Sequence, residues 1–248
     1  MKISIKCQKG IPWQRRLAPI IQNGLKKVGV SSNINGMEGI PMLLGPNAHK
    51  RFESENFLQV NRYFIGTSPK DVHENVAISW NGFNGLGYFC LQELDYDRLW
   101  NYIRKDEILP WSSGTKYLLC DQVDNGRSNI SLENWKRRIT VPYKSRSHIS
   151  RNPPPLKTDL QNLKATITFN STVAIESLLY GVPTVAYDEG SPVYSFVGHK
   201  ESDIVHPDRE KLFHILANCQ WHYDEIEQGL WWDRLNTKKG VRLCEYNT

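Results

Sequence analysis

Hydrophobic and polar positions alternate over Lys2–Cys7, the period-two pattern of a half-buried strand. Leu17, Ile20, Ile21, Leu25 and Val28 then recur at helical spacing. They predict a helix over Trp13–Val28 that stops at Gly29, with Pro19 as a kink or a start. Pro41–Leu44 and Val76–Trp80 read as short buried strands, and Asp95–Ile103 as a helix with Leu99 and Ile103 on one face. Leu109–Gly114 (LPWSSG) marks a crossover. Beyond it the pattern predicts a strand at Lys116–Cys120, a helix at Ser131–Ile139 capped by Ser131, a strand at Val141–His148 and a rigid turn at Arg151–Pro155. The most regular stretch follows: strand Ala165–Phe169, helix Asn170–Tyr180, Gly181 as its stop and strand Pro183–Tyr187. Its tight loops suit a βαβ unit in a parallel sheet. Helices at Asp208–Cys219 and Tyr223–Leu235 close the pattern. The alternation predicts an α/β protein of two Rossmann-like halves, 1–113 and 114–248, with a cleft between them.

Composition narrows the class. Of 248 residues 40% are apolar and 11% aromatic, too many for a disordered chain. Lys and Arg number 31 against 26 Asp and Glu, a net charge of +5 that permits an anionic partner without demanding one. Cys7, Cys90, Cys120, Cys219 and Cys244 are odd in number, widely spaced and form no CxxC. That argues against a disulfide framework and a Cys-type zinc site. The opening MKISIKCQKGIPW lacks the apolar stretch of a signal peptide, and no run is long enough to span a bilayer. The expectation is a soluble protein of a reducing cytoplasm.

The segment richest in chemistry is Ala165–Tyr187 (ATITFNSTVAIESLLYGVPTVAY). In open parallel sheets ligands sit outside the carboxyl ends of strands. Asn170, Ser171 and Thr172 follow such an end and open a helix, where side chains and free N–H groups can hold an anion. Glu176 lies four residues past Thr172 on the same face, placed to accept bonds from two ribose hydroxyls. Ordinary N-capping with an acid near the positive helix end accounts for the same residues.

This pattern, strand–(N/S)S-T-x-x-x-E-x-L-x-x-G-(V/I)-P-(T/V)-V, resembles the donor-binding half of GT-B glycosyltransferases, especially those of capsule and lipopolysaccharide synthesis. The chain more closely resembles a family of short glycosyltransferase-like proteins of tailed phages. The matching pieces are Ser79–Gly85 (SWNGFNG), Asp97–Trp100 (DRLW), Lys116–Gln122 (KYLLCDQ), Pro155–Asp159 (PLKTD), Asn170–Val185 and Asp208–Leu230. The resemblance implies a GT-B-like architecture: an acceptor-side first half, a nucleotide-sugar-binding second half, and final helices that cross back. It implies a UDP-sugar as co-substrate and no tightly bound cofactor. Asn170, Ser171 and Thr172 would face the donor phosphates and Glu176 the ribose, with Gln122 a further nucleotide-sugar-binding residue. The family's Arg-x-His-Pro element is matched here by Arg146-Ser147-His148-Ile149, without the proline. Cations there, with Arg151, suit the charge that develops on a departing nucleoside diphosphate, a role that needs no metal. Lys136–Arg138, Lys144, Arg146 and Arg151 equally describe a solvated basic face.

In the first half, Asn33–Pro41 is a glycine-punctuated loop centred on Glu38, a candidate base for an acceptor hydroxyl and equally a solvated turn acid. Asp97 is a second candidate base, or a helix cap. Asn81 and Asn84 in the SWNGFNG turn can bind acceptor hydroxyls or simply turn the chain, and Trp80 beside them can stack on a flipped base. Trp221, Trp231 and Trp232 fit core positions better than a sugar platform. The leading expectation is glucosyl transfer from a UDP-sugar to a hydroxymethylated pyrimidine in phage DNA. A capsule or lipopolysaccharide saccharide acceptor, and a non-catalytic nucleic-acid- or saccharide-binding module, are the alternatives. Oligomeric state is not legible.

Overall fold

The computed structural model describes residues 1–45, 56–66, 74–122, 132–147, 155–237 and 240–246. The chain divides into two compact units: Met1–Tyr102 with His214–Arg242, and Ile103–Phe213 with Leu243–Thr248. Both are mixed α/β and both contain parallel strands.

In the first unit, strand β1 (Lys2–Lys6) leads into the 16-residue helix α1 (Pro12–Lys27). Strands β2 (Ser31–Ile34), β3 (Ile40–Leu44), β4 (Leu58–Arg62), β5 (Asn75–Trp80) and β6 (Tyr88–Phe89) follow. Strands β2, β1, β3 and β4 are parallel, while β5 runs antiparallel to β4 and β6 antiparallel to β5. The sheet is therefore mixed: four parallel strands, as in a Rossmann-like fold, extended by the antiparallel β5 and β6. Alternation orients β1: Ile3 and Ile5 join Leu17, Ile21 and Leu25 of α1 in one core. Pro19 sits inside α1 without ending it, and Gly29 follows with φ +74°. The predicted Asp95–Ile103 helix is only a short 3-10 turn at Arg98–Asn101.

The second unit is a four-stranded sheet, every strand parallel to its neighbours. Its strands are β7 (Lys116–Cys120), β8 (Tyr143–Arg146), β9 (Leu163–Thr168) and β10 (Thr184–Ala186), ordered β10-β9-β7-β8. Helix α2 (Leu132–Lys136) brings Trp135 against Tyr117, Leu119, Ile167 and Phe169 in one core cluster. Helices α3 (Leu156–Asp159) and α4 (Val173–Leu179) carry residues of another cluster, in which Leu156 packs with Leu118, Cys120 and Val182, and Val173 adds to it. Gly181 ends α4 with φ +75°, as its place in the pattern requires.

Helix α5 (Arg209–Asn218) carries the chain back to the first unit, where β11 (Gln220–His222) pairs antiparallel with β5. The predicted Tyr223–Leu235 helix is two helices, α6 (Tyr223–Gln228) and α7 (Leu230–Thr237), parted by Gly229 at φ +83°. Trp221, Trp231 and Trp232 are core residues of that unit. Strand β12 (Val241–Arg242) pairs with β6. No helix of the described residues is long and apolar enough to cross a membrane.

Candidate functional site

The carboxyl ends of β7, β8, β9 and β10 gather polar side chains from segments far apart in sequence. Asn170, just past β9, is 8% exposed and sits at their centre. Its backbone N–H donates to Gln122 Oε1 at 3.2 Å, and its Oδ1 accepts from Gln122 Nε2 at 2.7 Å. Its Nδ2 donates to Asp188 Oδ1 at 2.9 Å, and Asp188 Oδ1 also accepts from the N–H of Gly190 at 2.9 Å. Asn170, Gln122 and Asp188 thus tie three strand ends together, and this occupies the amides the sequence assigned to the nucleotide sugar.

Ser171 Oγ accepts from the N–H of Val173 at 3.3 Å, a local turn bond. Thr172 precedes α4 without a side-chain cap bond. Helix α4 has seven residues, so its dipole is short.

Arg146, last in β8, pairs with Asp159 of α3, and Lys144 reaches the same carboxylate at 2.8 Å. The two cations hold the Asp159 carboxyl below the usual range, Lys144 most strongly. Glu176 of α4 is exposed at its surface. Its neighbourhood still strips enough water to raise its carboxyl pKa, against the pull of Arg146. Protonation of this carboxylate therefore comes more easily than in solution. Glu176 and Asp159 both act on the buried thiol of Cys120, which desolvation pushes up to about 12, leaving it inert as a nucleophile.

Four cations of the basic cluster are ion-paired. Lys136 pairs with Asp121 at 2.7 Å, Arg137 with Glu133, and Lys144 and Arg146 with Asp159. His148 and Arg151 lie outside the described residues, as does Ser131.

The first-unit candidates do not come together. The Glu38 side chain is 81% exposed and bound to Lys2 Nζ at 2.8 Å; that bond lowers its carboxyl pKa and weakens it as a base. Asp97 is exposed, and its N–H donates to Asp95 Oδ1 at 3.0 Å. Trp80 Nε1 donates to the Leu235 carbonyl at 3.2 Å and its ring packs on the core, so the indole is not free to stack on a base. Asn81, at φ +54°, binds Phe57 N–H through Oδ1 at 2.9 Å; Asn84, at φ +48°, is buried. This turn follows β5, which is antiparallel, so it lies at the amino ends of β3 and β4. That is the end opposite the one where open parallel sheets bind ligands.

Sequence reading passed over Asp188 and Asp159. Asp188 stands two residues past β10, a position the strand-end rule points to, and Asp159 closes the PLKTD piece. Among the described residues no three His, Cys, Asp or Glu side chains are grouped to hold a metal ion.

Neither a family model nor a curated protein matches the sequence. Among solved structures the chain is similar to Thermosulfurimonas dismutans KpsC, beta Kdo 2,7 transferase. Identity is 14% and the TM-score 0.52, over 96% of this chain and all of that one. The likeness is one of fold. The beta Kdo 2,4 transferase of the same organism's KpsC aligns over 88% of this chain and 90% of its own, at 13% identity and a TM-score of 0.46.

Proposed function

We propose that the protein is a glycosyltransferase that takes its sugar from a nucleotide donor and passes it to a saccharide hydroxyl. The observation that carries this reading is Arg146 beside the exposed Glu176 at the carboxyl ends of a parallel sheet. In the proposed reaction the acceptor oxygen bonds to the sugar carbon, and the bond from that carbon to the donor phosphate breaks. The electron pair leaves with the nucleotide. Negative charge grows on the departing phosphate, and a guanidinium already oriented by Asp159 meets it without reorganising. Glu176 accepts the ribose hydroxyls. Asn170, Gln122 and Asp188 serve as the frame that holds the strand ends in register, and Ser171 and Thr172 line the entry to α4.

A saccharide acceptor draws support from the shared fold with a Kdo transferase. Transfer from UDP-glucose to hydroxymethylated DNA drew on the phage-family resemblance and on a basic cluster in which Lys136, Arg137, Lys144 and Arg146 have carboxylate partners. The test is incubation with a panel of nucleotide sugars, scoring released nucleotide with and without saccharide acceptors, alongside nucleoside analysis of treated hydroxymethyl-DNA. Release stimulated by a saccharide supports the reading. A glucosylated base moves the acceptor to DNA. Failure to bind or turn over any donor removes the glycosyltransferase reading.

A further inference from the structure

A cavity lies in the first unit, at the carboxyl end of β4 and the start of α1. It measures about 260 Å³ and is lined by Trp13, Arg16, Arg62, Asn75 and Tyr223, among others. That is just under the range of about 300–1,000 Å³ usual for small-molecule sites. Arg16 donates from Nη2 to Glu74 at 2.6 Å and lies 5.5 Å over the Tyr223 ring. Arg62 ends β4, is exposed, and has no carboxylate partner among the described residues. Glu74 takes one nitrogen of Arg16 on Oε1, and its Oε2 lies 3.5 Å from His222 Nε2.

The sequence that carries α1 is basic. Before Glu38 the chain has no acidic residue, while Lys2, Lys6, Lys9, Arg15, Arg16, Lys26 and Lys27 all precede it. These seven cations exceed the net charge of +5, so the rest of the chain is slightly acidic. Arg15 closes the first turn of α1 and Arg16 opens the second, near the positive end of the helix dipole, and the N-cap residue Ile11 makes no side-chain cap bond. An anion in the cavity would offset both.

We infer that this cavity binds an anionic sugar unit of the acceptor, its carboxylate or phosphate held by the forks of Arg62 and Arg16 and its ring against Trp13 and Tyr223. A guanidinium matches such groups with two parallel hydrogen bonds, and an aromatic side chain offers an apolar body with a polar tip. The inference rests on the glycosyl-transfer reading and names the acceptor class for it.

Calorimetry on the full chain tests it with two acidic probes, trigalacturonate for a carboxylate and glucose 6-phosphate for a phosphate. The neutral partners are the trigalacturonate methyl ester and glucose. At least one acidic probe is expected to bind ten times or more tighter than its neutral partner. Arg62→Ala should weaken it at least tenfold, with Arg62→Lys intermediate because the charge stays and the fork is lost. Binding of UDP, read in the same variants, should not change. Equal affinity for charged and neutral probes, no binding of either acid, or an unaltered Arg62→Ala overturns the inference. Failure of the unmutated protein to bind any nucleotide of the donor panel would instead count against the donor reading.

Discussion

At the level of single residues, two carboxylates in the second unit are pushed in opposite directions. Glu176 has its pKa raised by desolvation, so the fold favours its neutral form. Its contribution to stability is present below its unfolded pKa and lost as pH rises through the folded one. Glu176→Gln should therefore melt at or above the wild-type temperature at pH 7.5, with the advantage gone at pH 4. The same variant should weaken nucleotide binding by about 1.5–3 kcal/mol, the scale of hydrogen bonds to a charged group. Thermal melts at both pH values and calorimetry with the nucleotide check the pair of outcomes. Asp159 is the reverse case, held low first by Lys144 and then by Arg146. Its contribution is present above the unfolded pKa and lost as pH falls through the folded value. Its side chain is only 7% exposed, yet its cover is largely the two long cations over it, so it is shielded rather than deep. Asp159→Asn should cost about 1–3 kcal/mol at pH 7 by removing the charge that Lys144 and Arg146 share, and much less in denaturant melts near pH 3.

Among the elements, the joints are where substitutions should be felt. Gly24 of α1 faces α6 so closely that a Cβ would sit 1.9 Å from the Ile226 carbonyl oxygen. Gly24→Ala must push the two helices apart and should destabilise by roughly 1–3 kcal/mol, read by urea unfolding. At the strand ends of the second unit, Asn170→Ala removes the clamp between Gln122 and Asp188. A loss of about 1–3 kcal/mol is expected from the partners left unmatched. A variant as stable as wild type would show that the amide is not structural. Helix α4 and the strands beside it were legible because their apolar pattern, and Gly181 at φ +75°, act within a few residues. Strands β2, β4 and β11 were not. Ser31–Ile34 and Gln220–His222 are too polar or too short to show a period, and become strands by pairing with β1 and β5.

For the molecule as a whole, net charge is a poor guide to partners once the pairing is known. With Lys136, Arg137, Lys144 and Arg146 on local carboxylates, few counterions remain to be released there on a phosphate backbone. Arg137→Glu is expected to change duplex-DNA affinity by less than twofold at 50 mM salt, as measured by fluorescence anisotropy, with the affinity already weak. A steep fall in affinity between about 50 and 200 mM salt would return DNA to consideration.

The amino-acid order by itself determined the α/β class, the βαβ unit around Asn170–Val185, the helix α1 and the core tryptophans. Each follows from local periodicity, which needs only neighbours within a turn or a pleat. Tertiary structure alone decided which polar groups are free to act. Asn170 is claimed by Gln122, 48 positions away, and Trp80 by the Leu235 carbonyl, 155 away. Arg62 meets Arg16 and Tyr223 only because β4, α1 and α6 converge on one cavity. A side chain's chemistry is written in its own residue type, but its availability depends on partners that only the packed fold brings within a few ångströms.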